Sequence, residues 1–224
     1  MSDRFVRWGG IAAIVFVVLI LFTAFGAGSP PAGDDAVDKI RDYMSDNRSL
    51  LLAGNSIALL AVPFVVWWAI VFRELVRGDA VSNALGTGTL AGVLITAPKA
   101  MAGGAVSVSV IYLDKGIADA SDDVVRLAFE AQNLLFGATA AGIGLMALTA
   151  GLAIRRTRAL PSYTMWLAFL AVIGNVATIA ATLNASAATI GFAGLLSFTL
   201  FLLVTGIVMA AGKASPAAAA SHAA

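Results

Sequence analysis

The sequence predicts an all-α integral membrane protein, a polytopic bundle of six transmembrane helices with both termini in the cytoplasm. Three observations lead to this class. Hydrophobic residues make up 60% of the 224 residues and charged residues only 12%, whereas a soluble domain carries about 25% charged residues. The mean hydropathy is +0.92. The apolar residues also come in runs of about 20, the length that crosses a bilayer as a helix.

Six apolar runs place one transmembrane domain at residues 1–213, followed by a low-complexity tail, 214–224, which we expect to be disordered. The predicted spans are 8–27, 50–72, 84–113, 122–154, 162–184 and 188–212. Arg4 and Arg7 before the first span are also typical of a signal peptide. Because this apolar run is long for a signal peptide and five spans follow, we predict a retained helix.

The distribution of charge predicts which way the spans point. Arg73 and Arg77 follow the second span, and three arginines at 155–158 follow the fourth, so these connections share their side with the basic N-terminal end. The opposite connections are rich in aspartate. Since cytoplasmic connections are enriched in Lys and Arg, both termini are predicted to be cytoplasmic.

The first extracytoplasmic loop contains a short amphipathic pattern. In "PPAGDDAVDKIRDYMSDN", Val37, Ile40, Tyr43 and Met44 recur at helical spacing, opposite charged residues. We therefore predict a short amphipathic helix across the outer mouth of the bundle. Two roles stay open at this point: it covers loop backbone at the membrane interface, or it is a lid over a cavity.

Several kinds of chemistry are excluded by composition. The chain has no cysteine and a single histidine, His222, which lies in the tail. Disulfides, thiolate nucleophiles, bis-histidine haem and Ser-His-Asp triads are thereby excluded, and no metal or cofactor is predicted. The formal net charge of +1 gives no extended basic field, so nucleic acid is not predicted as a partner.

An unusual pair, Pro98-Lys99, lies in the middle of the third span. At 1.5 Å per residue, Lys99 is about 21–22 Å from either predicted end of that span. A lysine there costs about 2.5–3.5 kcal/mol to insert and is expected to face the bundle interior or a wet cavity. Pro98 leaves the carbonyl of Leu94 without its helical donor, which loosens the helix at this point.

The fourth span offers partners for this lysine. Arg126 and Glu130 are an (i, i+4) pair, and Asn133 continues the same stripe. We expect the Lys99 ammonium to reach outward to Glu130 or Asn133. Asparagines of the second and fifth spans fall at comparable depth. The sequence thus predicts a polar ligand-binding pocket in the outer half of the bundle, formed by Lys99, Glu130, Arg126, Asn133, Asn55 and Asn175.

A structural interpretation competes with this pocket. The charged cluster would lock the third and fourth spans together, and the asparagines would form interhelical hydrogen bonds. A stripe of mostly small residues on the third span, which permits close approach of the fourth, agrees with it. That stripe consists of Gly88, Gly92, Thr96, Lys99, Gly103 and Ser107.

The stretch "RLAFEAQNLLFGATAAGIGLMALTAGLAIRRTRALPSYTMWLAFLAVIG" resembles the fourth and fifth spans of a bacterial domain-of-unknown-function family of six-span membrane proteins. The likeness rests on the acidic pair Glu130-Ala131, a glycine-rich stretch, a basic turn ending at Pro161 and the central Gly174. A histidine often follows the acidic pair in such proteins, whereas this chain has Gln132. The resemblance implies a multi-pass protein of the bacterial inner membrane and implies no activity.

Three functions stay open from the sequence. The first is binding or transport of a small amphiphilic or anionic ligand, such as a lipid, in the outer pocket. The second is an accessory or scaffold membrane subunit, whose glycine and alanine ladders would pack against another chain in an oligomer. The third is an intramembrane enzyme that uses Glu130 as base and Lys99 as electrophile. Because one carboxylate without a nucleophile or metal is a weak basis for catalysis, the sequence disfavours the third.

Overall fold

A computed structural model describes residues 2–26, 28, 30–32, 35–112, 117, 120–182 and 188–215. These residues form seven helices and no strand. Six of the seven are long and apolar enough to cross a membrane, which confirms the predicted all-α class and the predicted number of long apolar helices. In chain order the helices are α1 (Asp3–Gly26), α2 (Val37–Asp46), α3 (Arg48–Leu75), α4 (Ala80–Ile111), α5 (Asp122–Thr157), α6 (Ser162–Thr182) and α7 (Ala188–Ala210).

The helix ends extend beyond several of the predicted apolar runs. The start of α4 moves from 84 to Ala80 because the Asp79 carboxylate caps it, accepting a hydrogen bond from the Ser82 N–H at 2.8 Å. Helix α5 continues past 154 to Thr157, with two arginines in its last turn. Helix α4 also runs through Pro98 without ending there. Residues 216–224 of the predicted disordered tail lie outside the described residues.

The six long helices form a closed ring in the order α1, α3, α4, α5, α6, α7, and α7 packs against α1 to close it. Glycines permit this closure. A Cβ atom on Gly10 of α1 would lie 2.5 Å from the carbonyl oxygen of Gly206 on α7. Gly174 of α6 and Gly194 of α7 meet in the same way, since a Cβ on Gly194 would lie 2.9 Å from the Gly174 carbonyl oxygen. The backbones at these points therefore approach as closely as glycine allows.

The predicted small-residue stripe of the third span packs against the fourth span. A Cβ atom on Gly92 would lie 2.6 Å from the carbonyl oxygen of Gly142, and one on Gly103 would lie 3.3 Å from the Cβ of Leu135. The Thr96 hydroxyl also donates a hydrogen bond across the seam to the carbonyl of Thr139, at 3.5 Å. The close approach expected from the sequence is thus present along the α4–α5 seam.

The two halves of the ring differ inside. We call the half that holds the start of α1 and the end of α7 the terminal half, and the other the α2 half. The terminal half is filled by aromatic residues: Trp68 stacks on Phe72 with ring centroids 5.3 Å apart and meets Phe201 edge-on at 6.0 Å. All three side chains are fully buried. This aromatic core closes the ring interior on the terminal side.

Candidate ligand-binding cavity

The α2 half of the ring encloses a cavity of about 470 Å³, which lies between α1, α3, α4, α5 and α7. Its volume is within the range of small-molecule pockets, about 300–1,000 Å³. The side chains deepest in the ring form its floor, next to the aromatic core. These floor residues are Phe16, Val65, Met146 and Phe198.

The walls of the cavity are single faces of the surrounding helices. Each helix contributes residues three or four positions apart, which is the spacing of one helical face. On α4 the lining residues include Val93, Ala97, Ala100 and Gly104, and on α5 they include Phe129, Phe136, Ile143 and Met146. Most of this surface is apolar, so it suits the apolar part of a ligand.

Three carboxamides interrupt the apolar wall in the part nearer α2: Asn55 on α3 and the neighbouring Gln132 and Asn133 on α5. Within the described part of the chain, their side chains form no hydrogen bond with another protein group. We call these three residues the amide belt. Each carboxamide offers two N–H donors and one carbonyl acceptor. The amide belt can therefore hydrogen-bond a polar group placed in the cavity.

Gly104 of α4 sets the position of one member of the amide belt. A Cβ atom at Gly104 would overlap the Oδ1 atom of Asn55. The absence of a side chain at Gly104 lets α4 pass against the Asn55 amide and leaves room for it in the wall. The sequence analysis did not single out this glycine.

The short helix α2 covers the end of the cavity opposite the floor. Its residues Tyr43 and Met44 line the cavity. Ile40 and Met44 are fully buried in a cluster that also contains Ile111 and Phe129. Burial raises the pKa of the Tyr43 phenol above its ordinary value. The apolar face of α2 is therefore part of the cavity wall.

Polar contacts attach α2 to the start of α5. The Arg41 guanidinium donates to the carbonyl oxygens of Ile117 at 2.5 Å and Ala120 at 2.7 Å, and to the Asp122 carboxylate at 2.7 Å. From the other side, Arg126 of α5 donates to the carbonyl oxygen of Asp35 at 3.2 Å. These contacts attach the middle of α2 and the segment just before it to the start of α5.

Asp35, two residues before α2, carries a further local contact. Hydrogen bonds from the Lys39 ammonium and from the Ala32 N–H lower the pKa of the Asp35 carboxyl. This carboxylate therefore stays ionised across the physiological range and orders the approach to α2.

Two of the six residues predicted from the sequence line the cavity, namely Asn55 and Asn133. Asn175 is buried between α6 and α7, where its Nδ2 donates to the carbonyl oxygens of Ala171 at 2.8 Å and Gly194 at 3.3 Å. Its amide is thus used as an interhelical hydrogen bond, which is the structural alternative stated above.

The charged residues of the predicted pocket lie outside the cavity lining. The Lys99 Nζ donates to the carbonyl oxygen of Ala138 at 3.3 Å, across the α4–α5 seam, and not to Glu130. Glu130 lies 3.8 Å from Arg126, and its side chain is 51% exposed. Lys99 thus contacts α5 about 12 Å deeper than Glu130, since eight residues at 1.5 Å each separate Glu130 from Ala138.

The reason for this difference is the rotation of α5. The polar stripe of Arg126 and Glu130 was expected to face the interior of the bundle. In the structure the interior face of α5 is instead the largely apolar stripe through Phe129, Gln132 and Phe136. Gln132 was not among the predicted pocket residues, although it lies in this stripe. Its spacing of three residues from Phe129 and four from Phe136 is the sequence signal that places it on the same helical face.

Comparison of the chain with protein-family models, with curated proteins and with solved structures found no match. The resemblance to the six-span family of unknown function therefore stays a prediction. Among the described residues, no group of three or more His, Asp or Glu side chains lies close enough to hold a metal ion. The cavity and its amide belt are the features from which a function can be derived.

Proposed function

We propose that the protein binds a small amphiphilic molecule in the cavity of the α2 half and exchanges it with the outer leaflet of a bacterial inner membrane. The observation that carries this proposal is an apolar cavity of about 470 Å³ with an amide belt in its wall. Apolar walls stabilise an apolar ligand by about 25 cal/mol per Å² of surface removed from water. The position in the outer half follows from the predicted orientation of the basic connections.

Helix α2 supports a role as a lid in this proposal. It covers the cavity with Tyr43 and Met44, and Arg41 and Arg126 hold it to neighbouring backbone carbonyls. A ligand that enters from the outer leaflet must pass this helix or the gap between two long helices. A cover held by a few polar contacts and one small apolar cluster can open at a moderate cost, as ligand lids do.

The other functions considered from the sequence receive less support. A scaffold needs unoccupied small-residue faces. Gly144 of α5 is open, but the close helix contacts made by Gly206, Gly194 and Gly151 all lie within the ring. An enzyme that uses Lys99 and Glu130 needs the two groups together, and their hydrogen-bond and ion-pair partners are different residues. An anionic ligand needs a cation in the lining, where the structure has none among the described residues.

The test fills the cavity with a side chain. Ala100 lines the cavity, whereas Ala102, two residues along α4, is exposed on another face. Native mass spectrometry of detergent-extracted protein should show a bound amphiphile on the wild type and on Ala102→Phe, and little on Ala100→Phe. Thermal unfolding of each variant checks that the helices still assemble. Equal bound mass on all three proteins, or bound mass on none, would contradict the proposed function.

A further inference from the structure

We infer that the ligand is a single-chain amphiphile with an uncharged, hydrogen-bonding head group, held by the amide belt with its chain directed to the floor. This inference rests on the proposed function and names the class of molecule that the cavity selects. Three properties of the cavity carry it: the height of the amide belt, the lack of charge in the lining, and the hydrogen-bonding capacity of the carboxamides.

The amide belt divides the cavity into a polar level and a deep apolar compartment. From Asn55 to the floor residue Val65, α3 descends ten residues, or about 15 Å; from Gln132 to Met146, α5 descends about 21 Å. Most lining residues in between, such as Ala58, Val62 and Ile143, are apolar. Thr96 and Thr139 also line this part, and their hydroxyls donate to backbone carbonyl oxygens of their own helices. A largely apolar compartment of this length accommodates an extended acyl or prenyl chain, with its head group at the belt.

The lining carries no charged side chain among the described residues. The charged residues predicted for the pocket have partners outside the lining, since Arg126 and Glu130 lie 3.8 Å apart and the Lys99 ammonium donates to the carbonyl oxygen of Ala138. Moving an ionised carboxylate or ammonium from water into such surroundings costs far more than moving a hydroxyl or an amide that finds a partner. The cavity therefore selects a neutral head group.

Carboxamides complement such a head group. Asn55, Gln132 and Asn133 each offer both donors and an acceptor, so a hydroxyl, an amide or a carbonyl finds a partner at the belt. One satisfied neutral hydrogen bond contributes about 0.5–1.5 kcal/mol, or up to about tenfold in affinity. Two or three such bonds separate a neutral polar head group from a bare hydrocarbon by one to two orders of magnitude.

The head-group panel uses four molecules with the same chain: myristyl alcohol, myristamide, myristate and myristyltrimethylammonium. Each is offered to the full-length protein in a neutral detergent. The pH is kept well above the pKa of an ordinary carboxyl group, so that myristate is ionised. Binding is read by native mass spectrometry and by equilibrium competition. We expect the alcohol and the amide to bind at least about tenfold more tightly than either charged molecule.

Two variants locate the head group. Asn55→Leu keeps the branched shape and the number of heavy atoms but removes the amide, so it should weaken the alcohol and the amide about tenfold while leaving tetradecane unchanged. Gly104→Ala should have the same direction of effect, because the new Cβ displaces the Asn55 amide without altering polarity. Gly144→Ala is the matched control, since its Cβ would meet no atom within 4 Å, and should leave all affinities unchanged.

The outcomes separate this inference from the proposed function. Equal binding of all four head groups, or a preference for myristate, would overturn the neutral head group and leave amphiphile binding intact. Loss of tetradecane together with the alcohol in Asn55→Leu would overturn the assignment of Asn55 to the head group. If none of the molecules binds and the Ala100→Phe test also finds no bound amphiphile, both the inference and the proposed function fail.

Discussion

Replacing Lys99 by methionine gives the sharpest test of how the polar residues are divided between packing and function. Lys99 lies 19 residues after the start of α4 and 12 before its end, or about 29 and 18 Å along the helix. Among the described residues, its ammonium donates one hydrogen bond, to the Ala138 carbonyl oxygen at 3.3 Å. Methionine retains the length of the stem without the charge.

The expected magnitude is a difference of two terms. Removing the lysine recovers an insertion cost of about 2.5–3.5 kcal/mol. It also forfeits a hydrogen bond from a charged donor, worth about 1.5–3 kcal/mol. Lys99→Met should therefore raise the free energy of unfolding by about 1 kcal/mol and leave amphiphile binding unchanged, since the ammonium is outside the lining.

The assay is equilibrium unfolding in mixed micelles of neutral detergent and SDS, followed by tryptophan fluorescence, together with native mass spectrometry of bound amphiphile. Lys213→Met, at an exposed position after α7, serves as control and should unfold like the wild type. The reasoning is refuted if Lys99→Met destabilises the protein by more than about 2 kcal/mol. Loss of the bound amphiphile in a stable variant would refute it too.

Two further predictions concern the ring and its terminal side. Gly10→Ala should destabilise the protein by about 1–3 kcal/mol in the same unfolding assay, because the new Cβ overlaps backbone atoms of α7 that cannot move aside. The control is Gly144→Ala, whose new Cβ meets open space and should cause no loss of stability. Unchanged stability of Gly10→Ala would contradict a direct contact between α1 and α7. Asp79→Asn should lower the unfolding midpoint at neutral pH, because hydrogen bonds from Arg156 hold the pKa of the Asp79 carboxyl well below its usual range. A carboxyl whose pKa is lowered by folding contributes its full stabilisation above its unfolded pKa of about 3.9, and this stabilisation is lost as the pH falls toward the folded pKa. The difference in unfolding midpoint between Asp79→Asn and the wild type should therefore stay constant down to about pH 4 and shrink below it. A difference that vanishes already near pH 6 would point to another titrating group.

Much of the architecture could be predicted from the sequence, because lipid imposes a local rule. Backbone groups in hydrocarbon must be satisfied within the same segment, so a long apolar run becomes a helix whatever its neighbours are. The number of spans and the close α4–α5 approach through Gly92 and Gly103 follow from such local features. Helix ends were less predictable, since caps such as Asp79 extend a helix beyond its apolar run.

Only part of the cavity lining could be predicted from the sequence. Asn55 and Asn175 look equivalent in sequence, since each is a single asparagine in an apolar helix. In the structure Asn55 faces the cavity. The amide of Asn175 instead donates to the carbonyl oxygens of Ala171 and Gly194. Lys99 and Glu130 were predicted to line the pocket because charged residues are rare in apolar helices. The cavity instead presents neutral amides among apolar side chains.

By itself, the sequence determined a six-span helical membrane protein without cysteine or thiolate chemistry. The tertiary structure decided the ring order, the aromatic core on the terminal side, the cavity opposite it and the identity of its amide belt. The physical reason is rotation about helix axes. A pattern in one helix specifies a stripe of side chains, but the neighbour that the stripe faces depends on how all six helices pack. Successive residues are rotated by about 100° around the helix axis, so Gln132 can face the cavity while Glu130, only two positions earlier, faces away from it.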